Sequence, residues 1–145
     1  IFQEVIAEIV FVAVLMPIVA SMGGVAATQT LTIVLRGLTL EQINRSNLAW
    51  LFKRELAVAI LNGIVLAILI GLSTFIWFND MTLALLISAA LIINLISSVL
   101  AGVSVPLILR RFKQDPAIAG SVVVTTVTDV VGFVSFLGLA TIFLL

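Results

Sequence analysis

A single acidic residue, Asp129, lies within a long apolar stretch and is the residue best suited to chemistry. From Ser121 to Leu145 the chain carries no other charge. A carboxylate inside a membrane is costly, and it is found where it faces a bundle interior or a water-filled path. Because helix packing can be achieved with Ser or Thr at no such cost, Asp129 predicts a functional role.

Small and hydroxylated residues surround Asp129 at helical spacing. Thr125 lies four residues before it, Ser121 eight before and Gly132 three after. One helix face therefore carries two hydroxyls, a carboxylate and, at Gly132, a position without a side chain. The opposite face is apolar: Val123, Val127, Val130, Val134 and Leu137. The pattern predicts a polar stripe on a helix that otherwise suits lipid.

A second polar face follows a proline near the start of the chain. Pro17 precedes a run of small residues, and together they predict a kink or local unwinding. Such backbone persists at membrane depth only when protein covers it or water lines it. The residues that share a face are Ser21, Gly24, Thr28 and Thr32, with Gln29 beside them. We expect this face to pair with the Asp129 stripe.

A third group of small and polar residues favours helix packing over transport, as such residues commonly do in membranes. Its members are Ser88, Asn94, Ser97, Ser98, Gly102 and Ser104.

The composition requires a membrane. The 145 residues are 63% hydrophobic and 10% charged, and the mean hydropathy is +1.39, whereas soluble domains have about 45–50% apolar and about 25% charged residues. Cys and His are absent, which excludes disulfides, thiolate chemistry and the usual Zn²⁺ or Cu⁺ ligands. We interpret the chain as one membrane domain and as a fragment of a longer protein, since it begins with Ile1 and has no leader pattern.

Four apolar segments each exceed the roughly 20 residues that a membrane-spanning helix needs. They cover approximately residues 5–35, 56–78, 82–109 and 117–145. The sequence therefore predicts an all-α integral membrane protein with four transmembrane helices in this chain.

The basic residues indicate the orientation. All of them lie in the first and third connections: Arg36, Arg45, Lys53, Arg54, Arg110, Arg111 and Lys113. The positive-inside tendency makes these connections cytoplasmic, so that both ends of the chain face outward and Asn79-Asp80 is an external turn. We expect a cell inner membrane.

The connections contain local signals. Thr39 with Gln42 fits a capping box that predicts a short surface helix, with a plain linker as the alternative. Trp50 to Phe52, before Lys53-Arg54, predict an interfacial anchor. Asp115-Pro116 predicts the start of the last helix.

A carboxylate with hydroxyls and carbonyls suits a hard cation. Mg²⁺ takes oxygen ligands and keeps several waters, so one or two carboxylates suffice. One Asp supplies only one negative charge for a doubly charged ion, but a two-fold dimer would place two copies of Asp129 across its axis.

Three stretches together resemble the membrane domain of the MgtE magnesium channel/transporter family. They are MPIVASMGGVAATQTLTIVLRGL (16–38), Lys53-Arg54-Glu55, and Asp115-Pro116-Ala117 followed by VTTVTDVVGF (124–133). The resemblance covers nearly the whole chain in the same order and spacing.

The resemblance implies a homodimer with five membrane helices per subunit, of which this chain matches the second to the fifth. The first helix and the cytoplasmic N-terminal and CBS regulatory modules would precede it. Asp129 matches the pore carboxylate that holds hydrated Mg²⁺ at the dimer centre. The predicted transported ion is Mg²⁺, with Mn²⁺ and Co²⁺ as open alternatives. Gly24, Thr28, Ser121 and Thr125 match pore-lining positions.

The chain departs from the family pattern at two places, and rival functions stay open. Val25 stands where the family commonly has Asn, and Gly120-Ser121-Val122 replaces Ser-Gly-Pro or Ser-Asn-Pro. The leading prediction is Mg²⁺ influx through a dimeric pore. The alternatives are exchange with Na⁺ or H⁺, and a structural membrane module. A hydrolase is disfavoured because the chain has one deep Asp and no His, and no nucleic-acid partner is expected.

Overall fold

The chain folds into four long helices joined by short connections. The computed structural model describes residues 2–44 and 46–144, with side chains from residue 10 onward. The helices are α1 (Phe2–Thr39), α2 (Leu48–Phe78), α3 (Met81–Arg111) and α4 (Pro116–Leu144). All four are long and apolar enough to cross a membrane, and the described ranges contain no strand. The prediction of an all-α membrane domain is confirmed, and the predicted last residue, Leu145, lies outside the described ranges.

The helix α3 is the centre of the bundle. It packs against α1, α2 and α4, and α1 also packs against α4. Over an apolar stretch of 18 residues in α3, 56% of the residues are buried, against 33% in α1 and 22% in α2 and in α4. The helices α1, α3 and α4 thus form a three-helix unit, and α2 packs on α3 outside that unit.

Small residues bring α2 and α3 close together. The hydroxyl of Ser88 donates a hydrogen bond to the carbonyl of Ala67, 3.0 Å away. A Cβ on Gly71 would lie 2.4 Å from the Ser88 Oγ. Close backbone approach of this kind is how helices associate in lipid, where the hydrophobic effect does not drive them together.

The helix ends follow signals in the sequence. Asp80 precedes α3, and its carboxylate accepts hydrogen bonds from the N–H groups of Thr82 and Leu83. Asp115 precedes α4 and accepts the N–H of Ala117 at 2.9 Å, which confirms the predicted start of that helix. Both carboxylates satisfy backbone donors that a first helical turn leaves free.

The first connection differs from its prediction. The helix α2 begins at Leu48, eight residues before the predicted start at Leu56, because the helix continues through charged residues that interrupt the apolar run. The capping-box prediction is wrong. Thr39 is the last residue of α1, and its hydroxyl donates to the carbonyl of Leu35 within that helix. No surface helix forms between residues 40 and 44.

Candidate functional site

An open groove runs between α1 and α4, and Asp129 lies on its wall. The groove has a volume of about 450 Å³. Its lining residues are Ala20, Ser21, Gly24, Val25, Thr28, Gln29, Thr125 and Asp129. Four of the five predicted site residues, Gly24, Thr28, Thr125 and Asp129, are therefore brought together. Ser21 and Gln29 of the predicted α1 face also line the groove. Ser121 is exposed on the same helix but does not line the groove.

The packing of α4 directs Asp129 into the groove. The buried residues of α4 recur every four positions and form a ridge against α1 and α3: Gly120, Val124, Thr128, Gly132, Phe136 and Ala140. Asp129 follows directly after the fully buried Thr128 and is half-buried itself. Gly132, which the sequence assigned to the polar stripe, belongs to the buried ridge instead.

The α1 wall is regular helix, so the predicted local unwinding is not observed. The helix continues through Pro17 and through Ser21 to Gly24 without interruption. The hydroxyl of Thr28 donates to the carbonyl of Gly24 at 2.9 Å, and Thr32 donates to Thr28 at 2.8 Å. This wall of the groove therefore contains no unwound backbone, and the groove presents oxygen mainly through side chains.

The carboxylate of Asp129 makes no hydrogen bond to any side chain described from residue 10 onward. Two neighbouring threonines bond within α4: Thr126 to the carbonyl of Val122 at 2.8 Å, and Thr128 to that of Thr125 at 3.0 Å. The described residues contain no group of three Asp, Glu, His or Cys side chains placed so that they could hold a metal ion. One chain thus contributes one carboxylate, and the lining donor set is all oxygen apart from the Gln29 amide nitrogen.

A polar junction lies beside the groove and is centred on Asn94 of α3, a residue that the sequence assigned to packing. Asn94 is 1% exposed. Its Nδ2 donates to the carbonyl of Val19 at 2.8 Å, and its Oδ1 has no partner among the described residues. The next turn repeats the contact, since Ser98 donates to the carbonyl of Gly23 at 2.8 Å. The helix α3 thus holds α1 just beside Gly24.

Two glycines make room for Asn94. A Cβ on Gly23 of α1 would lie 2.1 Å from the Asn94 Nδ2, and one on Gly132 of α4 would lie 2.9 Å from the same atom. The amide therefore occupies the point where α1, α3 and α4 meet. Sequence reasoning missed this arrangement, because spacing along one helix does not show which helices touch.

These features define a class of protein: a multi-pass α-helical membrane domain with an oxygen-lined, carboxylate-bearing groove on one face. The family model for MgtE, described as a divalent cation transporter, matches residues 16–139. The chain belongs to this family.

Curated relatives in three bacteria support the assignment. The chain is 34% identical to a magnesium transporter MgtE of Bacillus subtilis, 26% to one of Thermus thermophilus and 24% to one of Enterococcus faecalis. Each alignment covers 99% of this chain and 32% of the relative. The chain therefore spans about a third of the length of these relatives.

Proposed function

We propose that this chain forms half of a dimeric pore through which divalent cations, chiefly Mg²⁺, enter the cytoplasm. The observation that carries the proposal is the open α1–α4 groove, in which a half-buried Asp129 lies with Gly24, Thr28 and Thr125. A carboxylate whose role is helix packing would accept a hydrogen bond from a neighbouring helix. This one faces a space large enough for an ion and its water.

The donor set suits a hydrated hard cation. Mg²⁺ sheds its waters reluctantly and is held by one or two carboxylates, with other oxygens bonding to its water shell. Asp129 supplies the charge. The Thr28 hydroxyl, which donates to the carbonyl of Gly24, can accept a hydrogen bond from bound water, and the Thr125 hydroxyl can accept or donate one. Family membership supports the same ion class, because the relatives are named magnesium transporters.

A second copy of the chain completes the site. One carboxylate balances half of the charge of a dication, and two-fold symmetry would bring a second Asp129 to the opposite side of the ion. The groove is open and its lining residues come from α1 and α4, so we expect the groove of a second copy to close it. Ser121 lies two helical turns before Asp129, nearer the cytoplasmic end of α4, and would line the entrance of the joined passage.

The direction of flow follows from the orientation. The basic residues of the first and third connections would lie in the cytoplasm, with both chain ends outside, in a cell inner membrane. An inward-negative potential then favours entry of a dication by roughly 4.6 kcal/mol per 100 mV, twice the value for a single charge.

Replacement of Asp129 tests the proposal. We expect Asp129→Asn and Asp129→Ala to lower Mg²⁺ flux into dye-loaded proteoliposomes by more than about tenfold, which corresponds to roughly 1.4 kcal/mol. Asp80→Asn is the matched control, since Asn still caps α3 and the lost charge lies outside the groove. Wild-type flux in both Asp129 variants would remove this residue from the mechanism.

Two further measurements address the dimer and the rival mechanism. Density for Mn²⁺ between two Asp129 carboxylates would support the shared site, whereas an ion bound within one subunit would contradict it. An imposed Na⁺ or H⁺ gradient should leave Mg²⁺ flux unchanged at constant membrane potential. Flux that follows either gradient would favour exchange over passive permeation.

A further inference from the structure

A second, separate pocket lies where the end of α1 meets the start of α2. Its volume is about 310 Å³, room for roughly ten water molecules at the density of the liquid. The lining residues are Ile33, Arg36, Gly37, Gln42, Ile43, Asn47, Trp50, Leu51 and Arg54. None of them lines the Asp129 groove, so the transport site does not account for this pocket.

The pocket is basic. Arg36 from the last turn of α1 and Arg54 from α2 line the same space, and none of the acidic residues that the structure describes lines it. The amide side chains of Gln42 and Asn47 add uncharged donors. Guanidinium groups bind phosphate through pairs of parallel hydrogen bonds. The lining is therefore suited to a phosphate group.

The local fold gives the pocket a defined shape. Ile43 turns back onto α1, and a Cβ on Gly37 would lie 2.6 Å from its Cδ1, so only glycine admits this contact. The N–H of Gln42 donates to the carbonyl of Gly37 at 2.9 Å. Asn47 accepts the N–H of Asn44 at 2.8 Å and donates to the carbonyl of Gln42. The connection is thus tied to both helices around the two arginines.

The mouth of the pocket has the character of a membrane interface. Trp50 is 61% exposed, and the guanidinium of Arg54 lies 5.5 Å from the centre of its ring. Tryptophan concentrates at the headgroup level of bilayers, and stacking on its ring holds Arg54 in place. Ile33 and Leu51 also line the pocket and offer apolar surface to the first carbons of an acyl chain.

We propose that this pocket binds the phosphate of an anionic phospholipid. The assignment to the cytoplasmic leaflet rests on the orientation proposed above, whereas the phosphate chemistry does not. Basic pockets between membrane helices on the cytoplasmic side recognise anionic headgroups. Bound there, the lipid links α1, whose polar face lines the groove, to α2, which otherwise packs mainly on α3.

Lipid binding to the purified full-length protein tests the proposal. The probes are phosphatidylglycerol and phosphatidylcholine, added to protein in neutral detergent, with bound lipid counted by native mass spectrometry. We expect phosphatidylglycerol to bind and to raise the melting temperature, and phosphatidylcholine to do neither. Each of Arg36→Gln and Arg54→Gln should weaken phosphatidylglycerol binding roughly fivefold, and the double variant more than tenfold.

Matched variants distinguish the pocket from general surface charge. Arg110→Gln with Arg111→Gln removes two exposed arginines from the end of α3 and should change lipid binding less than about twofold. The double Arg36→Lys, Arg54→Lys variant keeps the charge but loses the planar guanidinium groups that form paired hydrogen bonds with phosphate. We expect its lipid binding to lie between that of the wild type and that of the double glutamine variant. Its unchanged melting temperature without lipid would show that the fold is intact.

Two outcomes would overturn the proposal. Equal binding of phosphatidylglycerol by the wild type and by the folded Arg36 and Arg54 variants would exclude this pocket as the lipid-binding site. Inorganic phosphate or glycerol phosphate that stabilises the protein as strongly as the lipid would assign the pocket to a soluble phosphate instead. Neither outcome bears on Asp129, because flux and lipid binding are measured separately.

Discussion

The Asn94 junction and the Asp129 groove are both polar regions inside an apolar bundle, and they use their polar atoms differently. At the junction, Asn94 and Ser98 are buried and donate to carbonyls of α1. In the groove, Asp129 is only half-buried, and no side chain described from residue 10 onward bonds to it. The difference separates polar residues that join helices from a carboxylate that has no side-chain partner in the described part of the chain.

If the proposed function is correct, the Asn94 junction serves the stability of the bundle and the Asp129 groove serves transport. Replacements at the junction should lower the free energy of unfolding, because the contacts there are tight and shared by three helices. Replacements in the groove should change ion flux while the unfolding free energy stays nearly constant. If replacements in each region changed both the unfolding free energy and the ion flux, this separation of stability from transport would be wrong.

The largest effect is expected for Gly23→Ala. The new Cβ would lie 2.1 Å from the Asn94 Nδ2, so the amide must move and its bond to Val19 is lost. Overpacking of this kind costs about 1–3 kcal/mol, and we expect the upper end of that range in reversible unfolding measurements. Gly138→Ala is the control, because a Cβ there would meet no described atom outside its own helix within 4 Å. It should be neutral or slightly stabilising.

A double variant identifies the cause of that loss. If the clash with Asn94 is responsible, Gly23→Ala should cost much less in an Asn94→Ala background, because the obstructing amide is gone. Non-additivity of this sign is typical of residues in direct contact. Simple addition of the two costs would mean that Gly23 acts through something other than Asn94.

A smaller effect is expected for Asn94→Ala by itself. The change removes one hydrogen bond between α3 and α1 and leaves a gap where three helices meet, which should cost about 1–2 kcal/mol of unfolding free energy. Ser97→Ala provides the comparison, since the Ser97 hydroxyl bonds to Ile93 within its own helix. Equal losses in the two variants would contradict a special role for the junction.

The sequence predicted the helices well and their contacts poorly. Hydropathy identified all four spans, because apolar runs of this length have one stable arrangement in a bilayer. It placed the start of α2 too late, since Lys53, Arg54 and Glu55 interrupt the apolar run but not the helix. The capping box at Thr39 also failed, because α1 continues through that residue.

The candidate site shows the same limit. Periodicity and the family resemblance indicated Gly24, Thr28, Thr125 and Asp129, which share one groove. Both polar faces could be found because each lies on a single helix. The sequence assigned Asn94 to helix packing but could not identify its partners, since Gly23 and Gly132 lie on two other helices. The pocket between α1 and α2 likewise needs a folded connection that no spacing rule describes.

Within the groove, Thr125→Val is expected to reduce Mg²⁺ flux roughly threefold to tenfold. Valine keeps the shape of threonine but cannot bond to water around an ion, and a water-mediated bond contributes nearly as much as a direct one. Thr126→Val serves as the control, because its hydroxyl already bonds to Val122. Equal Mg²⁺ flux in the two variants would show that the Thr125 hydroxyl does not contribute to permeation. The unfolding free energy should change by less than about 0.5 kcal/mol in both.

The smallest effect is expected at Val25, where the family commonly has asparagine. Val25 is 55% exposed and lines the groove with Asp129. An amide there would offer an oxygen to the water shell of Mg²⁺, so Val25→Asn should raise Mg²⁺ flux about twofold in the proteoliposome assay. Val25→Ala removes the same methyl groups without adding an amide. A similar rise in Val25→Ala would attribute the gain to a wider groove, and the difference between the two variants therefore measures what the amide contributes.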